Sequence, residues 1–433
     1  MKIALVYAHL NMTGSLPRQH VHLARYLVAA GHEVHTYSFA PESELNLAAG
    51  IHFHDVPAKP AASSRIGLAL HVATFARNAT RMIRRDRAAY DVVHSRGMST
   101  WEQDIAHVTG VVSGEIERDR VVRTSSRLTT RAKDAALPIA APIVLVRKSI
   151  ERRIFEDRVP FEIHTSSRLV RDNLLAAYEV DPVRVRVVSP AVDIETFRPP
   201  ASRLAARRTL GLPEADSLIL FCGHSWVRKG LDRAVLALAK MREPAQIAVV
   251  GQGDPEPYLA LARQLGVAER LHFLGPRTDT WRFFQAADVF LLPTRVDMWG
   301  MTVAEAMATA VPPITTTAAG AAELITDGEN GFVFSEPLDV ALVAATLDRL
   351  AADPALRHRL GRAARERSLG LTWDEYGRQV EASMVAVAER RRGGEGTYAK
   401  KRSQQAIPRS DDPAAPSGTD GSGEARRRHE RRS

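Results

Sequence analysis

Short apolar runs that alternate with stretches of helical periodicity organise the first half of the chain. The apolar runs cover residues 2–7, 32–39, 51–56, 91–94, 161–165 and 185–189. Pro17 and Gly31 bound a predicted first helix, and Ser166 is a candidate N-cap for a helix over 167–178. Buried strands alternating with helices are typical of a parallel sheet covered by helices, so the pattern predicts a doubly wound α/β domain.

The same alternation returns after a proline-bounded segment, 190–200, which indicates a linker. The later apolar runs cover 218–222, 247–250, 271–273, 289–292 and 313–315, and a helical stretch follows over 338–390. We therefore predict two Rossmann-like domains, residues 1–195 and 196–390. In open parallel sheets ligands bind beyond the carboxyl ends of the strands, so the loops after these runs are candidate sites.

Length and composition bear on the number of domains and on the cellular compartment. A chain of 433 residues is too long for one compact core, and its single cysteine, Cys222, excludes an intramolecular disulfide. The first apolar run is too short for a signal-peptide core or a membrane span. These features favour a cytoplasmic protein.

The formal charge of +9 is concentrated at the end of the chain. Residues 391–433 hold eleven Lys/Arg against six Asp/Glu, and they are rich in Gly, Ser, Pro and Arg. Such a segment cannot bury enough apolar surface to order itself, so we predict a disordered basic tail. The rest is mildly basic and carries no nucleic-acid-binding motif, which argues against a specific nucleic-acid partner.

A predicted helix over 66–89 places four arginines on one face and apolar residues on the other. The arginines are Arg77, Arg81, Arg84 and Arg85. A solvated surface face explains this pattern, and so does a face that meets anionic lipid head groups. Peripheral contact with the inner face of the cell membrane is therefore an open alternative.

Two loops of the second half carry residues suited to a nucleotide sugar. Between a strand and a helix, the segment 223–230 delivers Arg228 and Lys229 beside Gly223, a setting that suits a diphosphate. In the segment 297–305, two carboxylates stand eight positions apart at the start of a helix. Glu305 could accept hydrogen bonds from a ribose and Asp297 from the transferred sugar. The backbone N–H groups of this loop could bind the diphosphate; its residues are Met298, Trp299, Gly300 and Met301.

The order of short motifs through the second half resembles glycosyltransferase family 4. The motifs are RKG (228–230), GQG (251–253), FLG (273–275), AADVFLLPT (286–294), EAMA (305–308) and DGENGFVF (327–334), with HTSSRLV (164–170) and VVSPAVDIETFRP (187–199) before them. This resemblance implies the GT-B fold, in which two Rossmann-like domains face each other across a cleft. It also implies transfer of a sugar from a UDP- or GDP-sugar to a hydroxyl acceptor, with retention, in glycan or cell-envelope synthesis.

Carried over residue by residue, the resemblance implies diphosphate binding by Arg228 and Lys229, ribose binding by Glu305 and sugar contact by Asp297. The family usually has Glu at this last position. In the first half, Gly14 and Arg18 match a loop that approaches the diphosphate, although the family's pair of glycines is reduced here to Thr13-Gly14. His107 lies where relatives carry acceptor-side residues, and a structural role is equally consistent with it.

No metal or other cofactor is expected, because the chain has no Asp-x-Asp motif on a suitable loop and two cations can stabilise the leaving diphosphate. Two alternatives stay open. One is a sugar-nucleotide epimerase or phosphorylase on the same architecture, and the other is a non-catalytic nucleotide-sugar binder. The sequence identifies neither the donor base nor the acceptor.

Overall fold

The computed structural model describes residues 1–9, 15–39, 50–59, 65–112, 142–157, 159–214 and 216–394. From residue 395 onward, the predicted disordered tail lies outside the described residues, and so does Gly14.

The first half forms a parallel sheet of seven described strands in the order β3-β2-β1-β4-β5-β6-β7. The strands are β1 (Lys2–His9), β2 (Glu33–Phe39), β3 (Ile51–Asp55), β4 (Val92–Arg96), β5 (Ile105–Val108), β6 (Glu162–Thr165) and β7 (Val185–Val187). The α-helices between them are Ser15–Ala29, Arg65–Asp86, Pro142–Arg152 and Arg168–Ala177. The order reverses at β1 and β4, as in a doubly wound domain, which confirms the predicted fold class.

The second half forms another parallel sheet, with six described strands in the order β10-β9-β8-β11-β12-β13. The strands are β8 (Ser217–Cys222), β9 (Ala245–Val250), β10 (Leu271–Phe273), β11 (Val289–Leu292), β12 (Pro313–Thr316) and β13 (Phe332–Phe334). The helices are Arg203–Leu210, Trp226–Lys229, Leu231–Lys240, Glu256–Gln264, Thr280–Ala286, Met301–Ala308, Val340–Ala352 and Pro354–Ser368. Its strands are nearly continuous apolar runs because helices cover both faces of the sheet.

Three local features add to or differ from the sequence prediction. Strands β5 and β13 were not predicted; His107 interrupts the apolar run of β5. Ser167, rather than Ser166, caps the helix Arg168–Ala177, since its Oγ accepts the N–H of Val170 at 3.2 Å. The predicted helical stretch 338–390 consists of three helices, and Pro354 begins the second of them.

The last helix, Trp373–Arg392, packs against the first sheet although it follows the second along the chain. Its Tyr376, Val380 and Met384 share a core with Ile3 and Leu5. A segment of the chain after residue 368 therefore returns to the first half. The domain limits near residues 195 and 390 stay a prediction.

The helix Arg65–Asp86 has the two predicted faces. All four arginines are exposed, while Phe75, Ala79 and Ile83 are buried. Two of the arginines are paired: Arg84 with Glu102 and Arg85 with Asp86. Among the described helices, none has the length and apolar character that crossing a membrane requires.

Candidate functional site

The loop after β8 is shaped by two glycines whose backbone other residues could not adopt without strain. Gly223 has φ +146°, and a Cβ there would lie 2.6 Å from Cδ of Lys229. Gly230 has φ +80°, and a Cβ there would lie 2.1 Å from the carbonyl oxygen of Pro293. The Lys229 side chain therefore runs over Gly223, and the loop packs tightly against the end of β11.

The two cations of this loop differ in their surroundings. Lys229 is buried, and its Nζ donates to Oδ2 of Asp297 at 3.0 Å. The Arg228 side chain is 37% exposed, donates to the carbonyl of Val296 at 2.9 Å and lies 3.9 Å from Oδ1 of Asp297. A negative ligand can therefore reach Arg228 from solvent, whereas Lys229 already has a counter-ion.

Asp297 is held by both its side chain and its backbone. Burial would raise the pKa of this carboxyl, but the charges of Lys229 and Arg228 outweigh burial and hold it below its usual value. Its N–H donates to the carbonyl of Ala318 at 2.9 Å, and its carbonyl accepts the N–H of Gly320 at 2.8 Å. Asp297 is thus an ionised, fixed carboxylate beside the two cations.

The helix Met301–Ala308 begins at Gly300, which has φ +90°. Before it, Trp299 is buried, and its indole Nε1 has no hydrogen-bond partner among the described residues. Met298 lies half-buried beside it. The first N–H groups of a helix have no partner within the helix, so this turn offers donors to an anion.

Glu305 lies inside this helix and is buried. Burial raises the pKa of its carboxyl to about 7, although the charges of Arg18 and Lys229 act in the opposite direction. Arg18 belongs to the first helix, Ser15–Ala29. The fold therefore brings Arg18 from the first half within electrostatic range of Glu305 in the second.

Hydrogen bonds also join the two halves at this site. The Ser167 Oγ donates to the carbonyl of Met298 at 2.8 Å, and the backbone N–H of Arg168 donates to Oε2 of Glu323 at 2.8 Å. Gly320 fits between them, since a Cβ there would lie 2.1 Å from the Met298 carbonyl oxygen. The loops after β6, β11 and β12 therefore meet.

On the first sheet, His107 is fully buried on β5, between His94 on β4 and His164 on β6. The three ring centroids form a nearly equilateral triangle with sides of 6.1, 6.0 and 5.9 Å. Both ring nitrogens of His107 lack a partner among the described residues. Asp104 lies apart, because it accepts from Arg87 at 2.7 Å and from the N–H of Val93 at 2.8 Å, which is a structural arrangement.

Sequence reasoning missed two buried arginines around the site. Arg295 forms an ion pair with Asp232 at 2.6 Å and donates to the carbonyl of Val227 at 2.8 Å, which supports the loop that carries Arg228. Arg96, at the end of β4, is 1% exposed. The position of Arg295 between a strand and Asp297 was a usable signal, whereas the burial of Arg96 becomes visible only in the fold.

Two family models together cover most of the chain. One, described as "Glycosyl transferases group 1", matches residues 202–367, and one described as "Glycosyltransferase Family 4" matches residues 18–196. The D-inositol 3-phosphate glycosyltransferase of Xylanimonas cellulosilytica is 31% identical over 376 residues, covering 82% of this chain and 87% of the relative. The protein of that name from Acidothermus cellulolyticus is 30% identical over 397 residues, covering 85% of each chain.

Solved structures resemble the whole described fold. WaaG, a glycosyltransferase involved in lipopolysaccharide biosynthesis, has a TM-score of 0.69 at 22% identity and covers 89% of this chain and 99% of its own. HepE from Anabaena, in complex with UDP-glucose, has a TM-score of 0.65 at 16% identity and covers 89% and 100%. At these identities the likeness concerns the fold, and it identifies the two sheets as the GT-B arrangement.

Proposed function

The chain belongs to glycosyltransferase family 4, and from this premise we propose that it moves a sugar from a nucleotide-diphosphate sugar to a hydroxyl acceptor. We include retention at the anomeric carbon and independence from metal in the proposal. The observation that carries it is the grouping of Arg228, Lys229 and Asp297 beside Glu305 at the carboxyl end of the second sheet.

In this proposal the diphosphate binds Arg228, Lys229 and the N–H groups at the start of the helix Met301–Ala308. The partial positive charge of a helix N-terminus and the two cations favour the negative charge that develops as the glycosidic bond breaks. Gly223 leaves room for the Lys229 side chain. Gly14 and Arg18 approach the diphosphate from the first half.

Glu305 accepts hydrogen bonds from the ribose, and Asp297 orients the transferred sugar within the loop of Met298, Trp299 and Gly300. Asp297 is already paired with Lys229, so it contacts a sugar hydroxyl with the oxygen that the lysine leaves free. His107 lies on the acceptor side, on the sheet that faces the donor. The structures of HepE in complex with UDP and with UDP-glucose support a UDP-sugar as the first donor to test.

The acceptor proposal follows the relatives. Several are named D-inositol 3-phosphate glycosyltransferase, so this phosphorylated cyclitol is the first acceptor to test. We also propose that the protein is cytoplasmic and contacts anionic membrane through the helix face of Arg77 and Arg81. Both arginine side chains are exposed, and Ile66 at the start of the same helix is an exposed apolar residue. Sedimentation with anionic and neutral vesicles tests this contact.

A thermal-shift screen of nucleoside diphosphates and nucleotide sugars tests the donor proposal, because a specific ligand stabilises the folded state by mass action. Transfer to D-inositol 3-phosphate, followed by analysis of the product's anomeric configuration, tests the rest. An epimerase would convert the donor's sugar without acceptor, and a phosphorylase would require phosphate. Activity after prolonged chelation tests metal independence.

Truncation separates the enzyme from a binder that depends on the basic tail. Arg391 donates to the carbonyl of Tyr90, and its guanidinium lies 3.5 Å from Asp104, so the cut belongs after Gly394 rather than at Arg390. Retained transfer by residues 1–394 supports the enzyme. Loss of all donor binding in this variant favours the binder.

A further inference from the structure

Arg96 is a buried guanidinium with neutral hydrogen-bond partners. One Nη donates to Oε1 of Gln19 at 3.2 Å and the other to the hydroxyl of Tyr376 at 2.5 Å, while Nε has no partner among the described residues. No described carboxylate lies within ion-pair distance of it. By contrast, buried Arg207 is paired with Asp288 and buried Arg295 with Asp232.

A carboxylate lies at the edge of the groups around Arg96: Glu162 accepts from Nε2 of His164 at 3.0 Å and is also paired with Arg186 at 3.0 Å. The charge of Arg96 acts to lower the pKa of tyrosines and histidines around it: Tyr7, His20, His94, His107, His164 and Tyr376. Burial raises the pKa of Tyr376 in spite of Arg96, so its phenol stays neutral. A buried charge without a counter-ion is costly, and proteins rarely keep one without a ligand to neutralise it.

Four buried histidines beside Arg96 have nitrogens with no partner among the described residues. Both ring nitrogens of His20, His94 and His107 and Nδ1 of His164 are in this state. Register explains their convergence: Arg96 pairs with His107 across β4 and β5, and His107 with His164 across β5 and β6. His20, His94 and His107, as neutral imidazoles, each bring one N–H donor and one acceptor nitrogen. His164 donates from Nε2 to Glu162 and therefore offers only the acceptor Nδ1. The set matches an oxyanion attached to hydroxyl-bearing carbons.

We propose that Arg96 and these histidines form a buried pocket for an oxyanion carried by the acceptor, such as the phosphate of a phosphorylated polyol. The Arg96 fork and imidazole N–H groups donate to the oxyanion, and the acceptor nitrogens of the imidazoles receive neighbouring hydroxyl protons. The acceptor assignment rests on the proposed function, but the oxyanion site itself can be tested without it. A divalent cation fits the three imidazoles of β4–β6 less well, because it would lie beside the Arg96 charge.

Calorimetric titration of the full chain tests the pocket. UDP is first added to saturation, so that the phosphates of the donor site are already occupied. Inorganic phosphate, D-inositol 3-phosphate and unphosphorylated inositol are then titrated in turn. We expect both phosphate compounds to bind, and the phosphorylated polyol to bind at least about tenfold more tightly than inositol. Equal affinity for the two polyols would overturn the proposal. Zn²⁺ is titrated separately, and binding of Zn²⁺ without binding of either phosphate compound would also overturn it.

Two variants locate the site. Arg96→Gln should lose at least about tenfold in affinity for the phosphorylated polyol and keep its UDP affinity, whereas Arg96→Lys should retain part of the binding. Because the substitution removes an unpaired buried charge, the free Arg96→Gln protein should melt no lower than the parent. Arg207→Gln, the control, should melt lower, because it leaves Asp288 unpaired, and should bind the phosphorylated polyol normally.

The outcomes separate this pocket from the proposed function. Failure of UDP to bind would count against the glycosyltransferase proposal but not against the pocket, because the phosphate titration can be repeated in the absence of UDP. UDP binding with unchanged polyol-phosphate affinity in Arg96→Gln would overturn the pocket. Vesicles containing phosphatidylinositol provide the last arm of the test. If the parent protein sediments with these vesicles and the Arg96→Gln variant does not, the oxyanion belongs to a lipid head group rather than to a soluble ester.

Discussion

Lys229, at the end of the helix Trp226–Lys229, and Asp297, in the loop after β11, form an ion pair of 3.0 Å although they lie sixty-eight positions apart along the chain. Both side chains are largely buried, and Arg228 adds a second positive charge 3.9 Å from the same carboxylate. The free protein thus neutralises part of the charge that the proposed diphosphate would use. In the proposed complex Asp297 would have two opposed effects on a nucleotide sugar: repulsion of the phosphates and orientation of the sugar.

Asp297→Asn separates these effects. Removing the negative charge should strengthen UDP binding by on the order of tenfold, because the phosphates no longer compete with a carboxylate for the two cations. Sugar transfer should fall, since the amide is a weaker acceptor for a sugar hydroxyl. Calorimetry with UDP and steady-state kinetics with the UDP-sugar measure the two effects. Weaker UDP binding would contradict this account, and Asp172→Asn, at an exposed position, is the control.

Lys229→Ala should lower turnover by about 10²–10³-fold, because a buried positive charge beside the leaving phosphate acts most strongly in the transition state. The melting temperature should also fall, since Asp297 loses its partner. Lys240→Ala, at the exposed end of the next helix, should change neither property. Steady-state kinetics decide the matter: unchanged turnover in Lys229→Ala would remove this lysine from the proposed site.

Glu305 predicts a pH dependence of donor binding. Burial raises the pKa of its carboxyl to about 7, so the group is largely protonated at pH 6 and ionised at pH 8. Only the carboxylate accepts hydrogen bonds from ribose with both oxygens, so affinity for a UDP-sugar should rise with pH through about 7. A UDP-sugar is the suitable probe, because its phosphates do not titrate there. Glu305→Gln should bind more weakly at pH 8 and show a flat profile.

The same pKa predicts the sign of a stability change. A carboxyl whose folded pKa lies above its unfolded value keeps its proton in the folded state between about 4.5 and 7, so its burial costs stability above that window. Glu305→Gln should therefore stabilise the free protein at pH 8, by at most about 3 kcal/mol, and leave it nearly unchanged at pH 4. Thermal melts at the two pH values measure the difference. Equal shifts would contradict the raised pKa.

The grouping of Arg228, Lys229 and Asp297 was largely predictable because its signals are local. Arg228, Lys229 and Asp297 follow apolar strands within a few residues, and parallel strands bring such loops to one edge. The pairing of Lys229 with Asp297 was not predictable, since it depends on how two loops pack. The buried state of Arg96 was equally hidden. An arginine that follows a strand is normally exposed to solvent, so the sequence gives no sign of burial. The last helix, which supplies the hydrogen-bond partner Tyr376, also lies far away in sequence.

The buried histidines predict a loss of stability in acid. Burial lowers the pKa of His20 to about 3 and places the pKa values of His94 and His107 well below 6.5. Between these lowered pKa values and about pH 6.5, the unfolded chain binds protons that the folded chain does not. The contribution to stability is therefore complete above about pH 6.5 and declines as the pH falls. Each such histidine costs about 1.4 kcal/mol per pH unit below its unfolded pKa.

The melting temperature should therefore fall steeply between pH 7 and pH 5. His20→Gln should flatten this dependence, because glutamine does not titrate, whereas His358→Gln, at an exposed position, should leave it unchanged. His20 is the suitable variant, since it belongs to the helix Ser15–Ala29 rather than to the sheet. A pH profile that His20→Gln and His358→Gln alter equally would show that the buried imidazoles are not its origin.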